Sequence, residues 1–201
     1  MADGASDISK DELRSEFRSR RRALDAEARA EASGAICRRL ATIEELDARS
    51  PVAGYVADDG ELRLHAFLEE RLSAGDRVVL PRVEGDRLVF APVTDFDALE
   101  PGSYGIPEPS TPAVSIEAVA AILVPGVAFD RGGRRIGRGA GYYDRVLARR
   151  RSVGSPALTV GICHHCQLAD PPLPQDKHDV RVDLVVTDRE VVATSDRFDF
   201  H

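Results

Sequence analysis

Gly132, Gly133, Gly137, Gly139 and Gly141 alternate with Arg134, Arg135, Arg138 and Arg145 in the stretch GGRRIGRGAGYYDR, where Asp144 stands next to the end. Glycine backbone lets N–H groups approach an anion closely, because no Cβ intervenes. Arginine adds charge and forked donors that match phosphate oxygens. A helix starting inside the stretch contributes unpaired N–H groups and a partial positive charge. Together these features have the chemistry of a polyphosphate cradle whose glycines a bound anion would order. The bland alternative is a flexible surface loop with solvated arginines. Spacing excludes two familiar motifs. No Gly-Lys-Ser/Thr follows, so this is not a Walker loop, and Asp144 stands where the dinucleotide fingerprint has its last glycine.

Asp144 lies one turn into the expected helix, beside the cradle. Magnesium takes one or two carboxylates together with phosphate oxygens and waters, and Asp144 suits that role. An ordinary first-turn acid stabilising the helix dipole is the alternative. Tyr142 and Tyr143 could stack on a flat ring, with one of them spent on the core. A second chemical-looking stretch is CHHC, Cys163 to Cys166. A structural zinc needs four ligands and no second C-x-x-C exists, so the expected reading is a strand end and turn; a zinc or redox protein is the alternative.

These residues need elements to hold them. Leu13, Phe17 and Leu24 recur at helical spacing, with Ser9 and Glu12 in the capping-box pattern, so a helix starts at the N-terminal end. Lys10, Arg14 and Arg18 lie four apart and form a basic stripe on another face. A second helix is expected from about Glu27 to Leu46. Further on come a strand from Val52 to Val56, a helix from Leu62 to Leu72 ending near Gly75, and strands at Arg77–Leu80, closed by Pro81, and Arg87–Ala91. Pro101 to Pro112 reads as loop. Ala120 to Val124 is a continuous apolar run, the signature of a strand buried on both faces. The glycine–arginine loop follows it, and then a helix from about Gly141 to Arg149. Ala157–Ile162 and Leu184–Val186 are further buried strands. Alternating strands and helices predict an α/β layered fold with a mostly parallel sheet, on which the helical N-terminus would pack. A loop leaving the C-terminal end of a strand is where such folds place ligands.

Composition narrows the function classes. The chain has 201 residues, 43% hydrophobic and 30% charged, which suits one soluble domain over 1–201. With 27 Lys+Arg against 34 Asp+Glu the net charge is -7, which argues against a nucleic-acid coat. No apolar run reaches the ~20 residues of a membrane span, and the polar, acidic N-terminus does not read as a signal peptide. Three cysteines do not make a disulfide framework, so a cytoplasmic setting without membrane partners is expected.

The stretch PGVAFDRGGRRIGRGAGYYDRVL resembles the signature of the 5-formyltetrahydrofolate cyclo-ligase (methenyltetrahydrofolate synthetase) family. KDELR from Lys10, LPR from Leu80, YGIPEP from Tyr104 and HDVRVDLVVTD from His178 are similar to further family motifs in the same order. The resemblance implies a three-layer α/β/α fold like that of ribose-5-phosphate isomerases and CoA transferases. It implies an ATP- and magnesium-dependent enzyme, and a monomer is expected. In the family's mechanism the formyl oxygen of 5-formyltetrahydrofolate attacks the γ-phosphate of ATP; N10 then closes the ring and phosphate leaves. Carried over by position, Lys10, Asp11, Glu12, Leu13 and Arg14 would hold ATP, as would Arg135, Ile136, Gly137, Arg138, Gly139, Ala140, Gly141, Tyr142 and Tyr143. Val56, Glu61, Arg138, Gly139, Ala140, Gly141 and Tyr142 would touch the folate. Glu61 suits a pterin because a carboxylate accepts two adjacent N–H donors. Asp144 and Asp183 would hold magnesium. The chain departs from the family at Ala140, where many members have lysine, at Leu64, where threonine is frequent, and at His164, near which an aromatic is common. The missing lysine leaves a non-catalytic folate- or nucleotide-binding module as the competing reading.

Overall fold

A computed structural model describes residues 8–152 and 157–194. The first helix, α1 (Lys10–Arg22), begins at the expected capping box: the Ser9 side chain accepts from Glu12 N, and Glu12 Oε2 accepts from Ser9 N at 2.9 Å. Asp25 caps α2 (Ala26–Leu40) through Ala28 N at 2.8 Å. The single helix expected to reach Leu46 is instead broken. Thr42 Oγ1 donates to Arg39 O at 2.8 Å, and the chain restarts as α3 (Glu44–Asp47). Leu40, Ile43 and Leu46 are thereby all buried.

Strand β1 (Val52–Ala53) is shorter than expected, because the chain leaves the ladder and carries Tyr55 and Val56 out of the sheet. Helix α4 (His65–Ser73) leads to the hairpin β2 (Val78–Glu84) and β3 (Arg87–Val93). Pro81 does not end β2. The β1 ladder stops at Val79, so Pro81 pairs with Phe90 of β3 on one side only, and its missing N–H removes no sheet bond. The expected loop at 101–112 contains a small hairpin, β4 (Glu100–Pro101) and β5 (Pro107–Glu108). Next come β6 (Ala121–Pro125), β7 (Ala128–Asp130) and β8 (Arg135–Ile136), the last two forming an antiparallel pair inside the arginine-rich segment expected to be loop. Helix α5 (Tyr142–Arg151) and strands β9 (Leu158–Cys163), β10 (Leu168–Ala169), β11 (Leu184–Thr187) and β12 (Val191–Ala193) complete the described chain.

The main sheet has seven strands in the order β12-β11-β9-β6-β1-β2-β3. Its inner strands are parallel, and the edge strands β12 and β3 run antiparallel to their neighbours. Side chains alternate between two faces, as the pleat requires. Val52, Val78, Leu80, Leu123 and Val160 meet Ile36 and Leu40 of α2 and Leu68 of α4. Ala53, Val79, Ile122 and Val124 meet Val146 and Leu147 of α5 on the other side. Helices therefore cover both faces, giving an α/β fold with three layers and a mostly parallel sheet. Fully burying each of Ile122, Leu123 and Val124 contributes about 1.5–3 kcal/mol.

Helix α1 departs from the expectation that the whole helical N-terminus packs on this sheet. Only α2 does. Phe17 and Leu13 of α1 instead pack with Val127, Ala128, Ile136 and Ala169, on the small three-stranded sheet β10-β7-β8. That placement sets α1 beside the segment following β8. Among the described residues, no helix is long and apolar enough to cross a membrane.

Candidate active site

The parallel strands β1, β2 and β6 all point one way, and a cleft of about 490 Å³ opens beyond their C-terminal ends at Tyr55, Val56, Pro81, Pro125 and Gly126. That volume suits a small-molecule site, for which roughly 300–1,000 Å³ is typical.

One wall is the glycine–arginine segment. Its geometry is fixed by Asp130, a buried carboxylate that organises the β7–β8 turn. Oδ1 accepts from Gly132 N at 2.8 Å and Arg134 N at 2.9 Å, and Oδ2 accepts from Leu173 N at 2.8 Å. Beyond β8 the chain passes through Gly139 (φ +111) and Gly141 (φ +67), a left-handed conformation that side chains resist. Gly141 is the N-cap of α5 and offers no side chain to its first N–H groups. The helix therefore begins at the cleft with its N-terminal donors uncapped by any side chain, the arrangement that binds anions.

Arg135 is nearly buried and donates to Asp144 Oδ2 at 2.8 Å, and its guanidinium lies 5.8 Å from the Tyr143 ring centre. Asp144 also lines the cleft. Across from it, α1 presents Lys10 and Arg14, which lie four residues apart and so share one face. Arg14 Nε donates to Gly137 O at 2.9 Å, tying helix to cradle. Lys10 Nζ donates to Asp176 at 2.6 Å and Asp179 at 2.5 Å. Burial works against the charge on Lys10, but these two carboxylates outweigh it and raise its pKa.

The other end of the cleft carries Glu61, almost enclosed, whose Oε1 accepts from Arg138 at 2.9 Å and lies 4.0 Å from Arg21. Arg138 also holds Asp58 at 2.6 Å. Burial pushes the Glu61 pKa up against the pull of both arginines. The apolar side chains of Val56, Val83, Leu88 and Ile106 line the same cleft. The mouth has Tyr104, at the tip of the β4–β5 hairpin and 76% exposed, with its hydroxyl 3.5 Å from that of Tyr142.

Most of the expected site residues converge. Lys10, Arg14, Val56, Glu61, the run Arg135–Tyr143 and Asp144 all line the cleft. Asp11, Glu12 and Leu13 do not. On a helix the residues one and two after Lys10 face away from it, and apolar packing holds the next. Asp11 pairs with Arg14 from outside, Glu12 is spent on the Ser9 cap, and Leu13 packs in the α1 core. Asp183 lies apart from the cleft-lining residues. It precedes β11 in the row of Thr159 and Ile122, well below the strand ends that open on the cleft. It is 1% exposed, with Oδ2 accepting from Thr159 N at 3.0 Å and Thr159 Oγ1 at 2.6 Å, so it does not join Asp144.

Sequence reasoning missed Tyr55, Pro81, Tyr104, Glu108, Asp176 and Asp179 as lining residues. The signals were present: Pro81 lies in LPR, Tyr104 and Glu108 in YGIPEP, and Asp179 in the HD pair of HDVRVD. Among the described residues no group of three His, Cys, Asp or Glu is placed to hold a metal, and Cys163 to Cys166 form the end of β9 and the turn after it.

Fold and cleft together define an α/β protein with a glycine–arginine segment and an uncapped helix N-terminus at its strand ends, and apolar lining with a carboxylate in the same cleft. A family model described as the 5-formyltetrahydrofolate cyclo-ligase family matches residues 6–188. The chain is 31% identical over 181 residues to a 5-formyltetrahydrofolate cyclo-ligase of Escherichia coli, covering 87% of this chain and 98% of that one. A 5,10-methenyltetrahydrofolate synthetase structure from Aquifex aeolicus superposes with a TM-score of 0.83 at 35% identity, covering 96% of this chain and 97% of the other. A Mycoplasma pneumoniae synthetase shares the fold, with a TM-score of 0.74 at 24% identity, covering 90% of this chain and all of that one. The chain belongs to the 5-formyltetrahydrofolate cyclo-ligase family of enzymes.

Proposed function

We propose that this protein converts 5-formyltetrahydrofolate to 5,10-methenyltetrahydrofolate with hydrolysis of ATP to ADP and phosphate. The observation that carries the reading is the single cleft in which an arginine–glycine cradle at an uncapped helix N-terminus meets a Glu61-bearing apolar pocket. A formyl oxygen is a poor leaving group, so it must be phosphorylated before N10 can displace it. The formyl oxygen attacks the γ-phosphate and ADP departs. N10 then adds to the activated carbon, and phosphate leaves as the ring closes. Phosphoryl transfer asks for positioning and charge neutralisation more than for a protein nucleophile.

In this reading Lys10, Arg14 and Arg135 hold phosphate oxygens, and the α5 N-terminus supplies backbone donors. Glu61 accepts two adjacent N–H groups of the pterin, and Val56, Val83 and Ile106 wall the ring. Asp144 lines the cleft and would supply one carboxylate to magnesium, which would take its remaining ligands from phosphate oxygens and water. When bound it would neutralise charge on the phosphates. Arg135 orients the Asp144 carboxylate for that role. Arg138, held by Asp58 and Glu61, is the cation next to the position where many members carry lysine and this chain has Ala140. A cytoplasmic monomer acting on these small molecules is part of the same reading.

The test is an absorbance assay for 5,10-methenyltetrahydrofolate in which 5-formyltetrahydrofolate, ATP and magnesium are omitted in turn. A signal that needs all three is the expected result. Binding of both substrates without any signal would leave the non-catalytic module that Ala140 favours.

A further inference from the structure

A second cavity, of about 510 Å³, lies along α1, and the proposed reaction makes no use of it. Arg14, Arg18 and Arg22 line it from the helix, four residues apart and so on one face, and Arg138 joins them from the glycine–arginine segment. Ser15 and Ser19, both exposed, add hydroxyls between the helix arginines. This gathering of guanidinium groups stands out in a chain of net charge -7. Three of the four arginines already have acceptors. Arg14 Nε donates to Gly137 O at 2.9 Å, and its other end pairs with Asp11, which also lines the cavity. Arg22 reaches Asp59 at 3.0 Å, and Arg138 holds Asp58 at 2.6 Å and Glu61 at 2.9 Å. Arg18 differs. Among the described residues its Nε is shielded from water and has no hydrogen-bond acceptor. A shielded donor on a charged group is costly to leave unmet, so this one is waiting for an acceptor.

We propose that this cavity is an oxyanion site separate from the catalytic cleft, anchored by Arg18, and that it takes inorganic phosphate. A guanidinium presents forked donors that match two oxygens of a tetrahedral anion. The hydroxyls of Ser15 and Ser19 can donate to a further oxygen. Arg14, Arg22 and Arg138 add positive charge without leaving the carboxylates and carbonyl that hold them. A tetrahedral anion suits this layout better than a lone carboxylate, because donors reach the cavity both from the helix and from the segment facing it. The inference goes beyond the folate reading and does not depend on it.

The experiment is calorimetric titration with inorganic phosphate, at constant pH and ionic strength, of the wild-type chain, Arg18→Gln, Arg20→Gln, Lys10→Gln and the double variant Ser15→Ala/Ser19→Ala. Arg18→Gln should bind phosphate about tenfold more weakly, and the double serine variant should lose several-fold. Arg20→Gln removes the same charge from α1 outside the cavity, where Arg20 pairs with Glu16, and should bind as wild type does. The thermal midpoint of Arg18→Gln should stay at or above wild type, since no protein partner is lost. A wild-type chain that binds no phosphate would overturn the assignment. So would equal losses in Arg18→Gln and Arg20→Gln, which would mean bulk charge, or a loss in Lys10→Gln with none in Arg18→Gln, which would put the anion in the cleft. ATP titrations of wild type and Arg18→Gln should agree; a parallel loss of ATP affinity would make the cavity part of the nucleotide site and end its separate status. If neither protein binds ATP, the proposed reaction fails, and the phosphate comparison still decides this inference.

Discussion

The cradle from Gly132 to Arg145 and the turn from Cys163 to Cys166 both follow a buried parallel strand, and both are dense in chemically able residues. They end differently. In the cradle, glycines at positive φ bring the backbone to the cleft, and α5 starts with no side-chain cap. In the turn, the groups are consumed locally. Cys163 is buried in the core, and its burial holds the thiol protonated. His164 Nε2 bonds Gly60 O at 3.0 Å, Gln167 reaches Gly126 and Val127 carbonyls, and His165 N donates to Asp188 at 2.6 Å. Residue chemistry is the same kind of promise in both places. What separates them is whether the fold leaves the donors facing a cavity or pairs them with its own backbone. The turn nonetheless serves the site indirectly, because His164 braces the Gly60 turn that presents Glu61.

Replacing Asp144 by asparagine tests the cradle most severely. If the carboxylate faces the phosphate end as a metal ligand, turnover should fall about 100-fold or more, with the thermal midpoint within a few degrees of wild type. Full activity at limiting magnesium would erase the distinction between the cradle and an ordinary capped helix. Gly133→Ala probes the cradle's scaffold. Its φ is +76, and a Cβ there would lie 2.5 Å from Val182 O. A loss of about 2–3 kcal/mol is expected in a denaturant titration. A neutral result would mean the β7–β8 turn is not rigid.

Glu61 sharpens the comparison through pH. Burial raises its folded pKa, so the carboxylate is protonated at a higher pH than an ordinary glutamate. An acid whose folded pKa exceeds its unfolded value costs stability when ionised, and that cost is relieved as pH falls through the folded value. Folate affinity moves the other way, because the pterin needs the ionised acceptor. As pH falls toward the ordinary glutamate range of about 4.3, folate binding should therefore weaken at a higher pH than an unperturbed glutamate would cause. In Glu61→Gln that slope should vanish and affinity at neutral pH should be about tenfold lower. An unchanged slope in the glutamine variant would assign the pH dependence to another group.

Much of this was local enough to read in the chain. The Ser9–Glu12 box, the Ala121–Val124 strand and the loop before α5 are set by neighbours in sequence, and Lys10 with Arg14 follows from helical spacing. What escaped depends on register and on long-range contact. Asp179 and Asp183 both precede the same apolar strand, and only the ladder row shows that one reaches the cleft while the other lies beside Thr159. Asp11 to Leu13 were carried over as a contiguous run, which a helix does not present to one ligand. Leu88 and Ile106 look like any apolar residues until the β2–β3 and β4–β5 hairpins fold them over the pocket. The β7–β8 pair was hidden by arginine and glycine, because Asp130 supplies the turn bonds that propensity does not.

The smallest effects belong to the turn, and they are the ones that could still overturn the contrast. Cys163→Ser places a hydroxyl in a fully buried strand position with no partner provided, at a cost of about 1–2 kcal/mol. Activity per folded molecule should be unchanged. Cys166 is half-buried, its thiol pKa is raised by burial, and its serine variant should stay within about 0.5 kcal/mol of wild type. Full turnover in the double serine variant under both oxidising and reducing conditions is therefore expected. Loss of turnover in Cys166→Ser, with the midpoint intact, would mean that a thiol acts in the reaction and that the turn, like the cradle, belongs to the site.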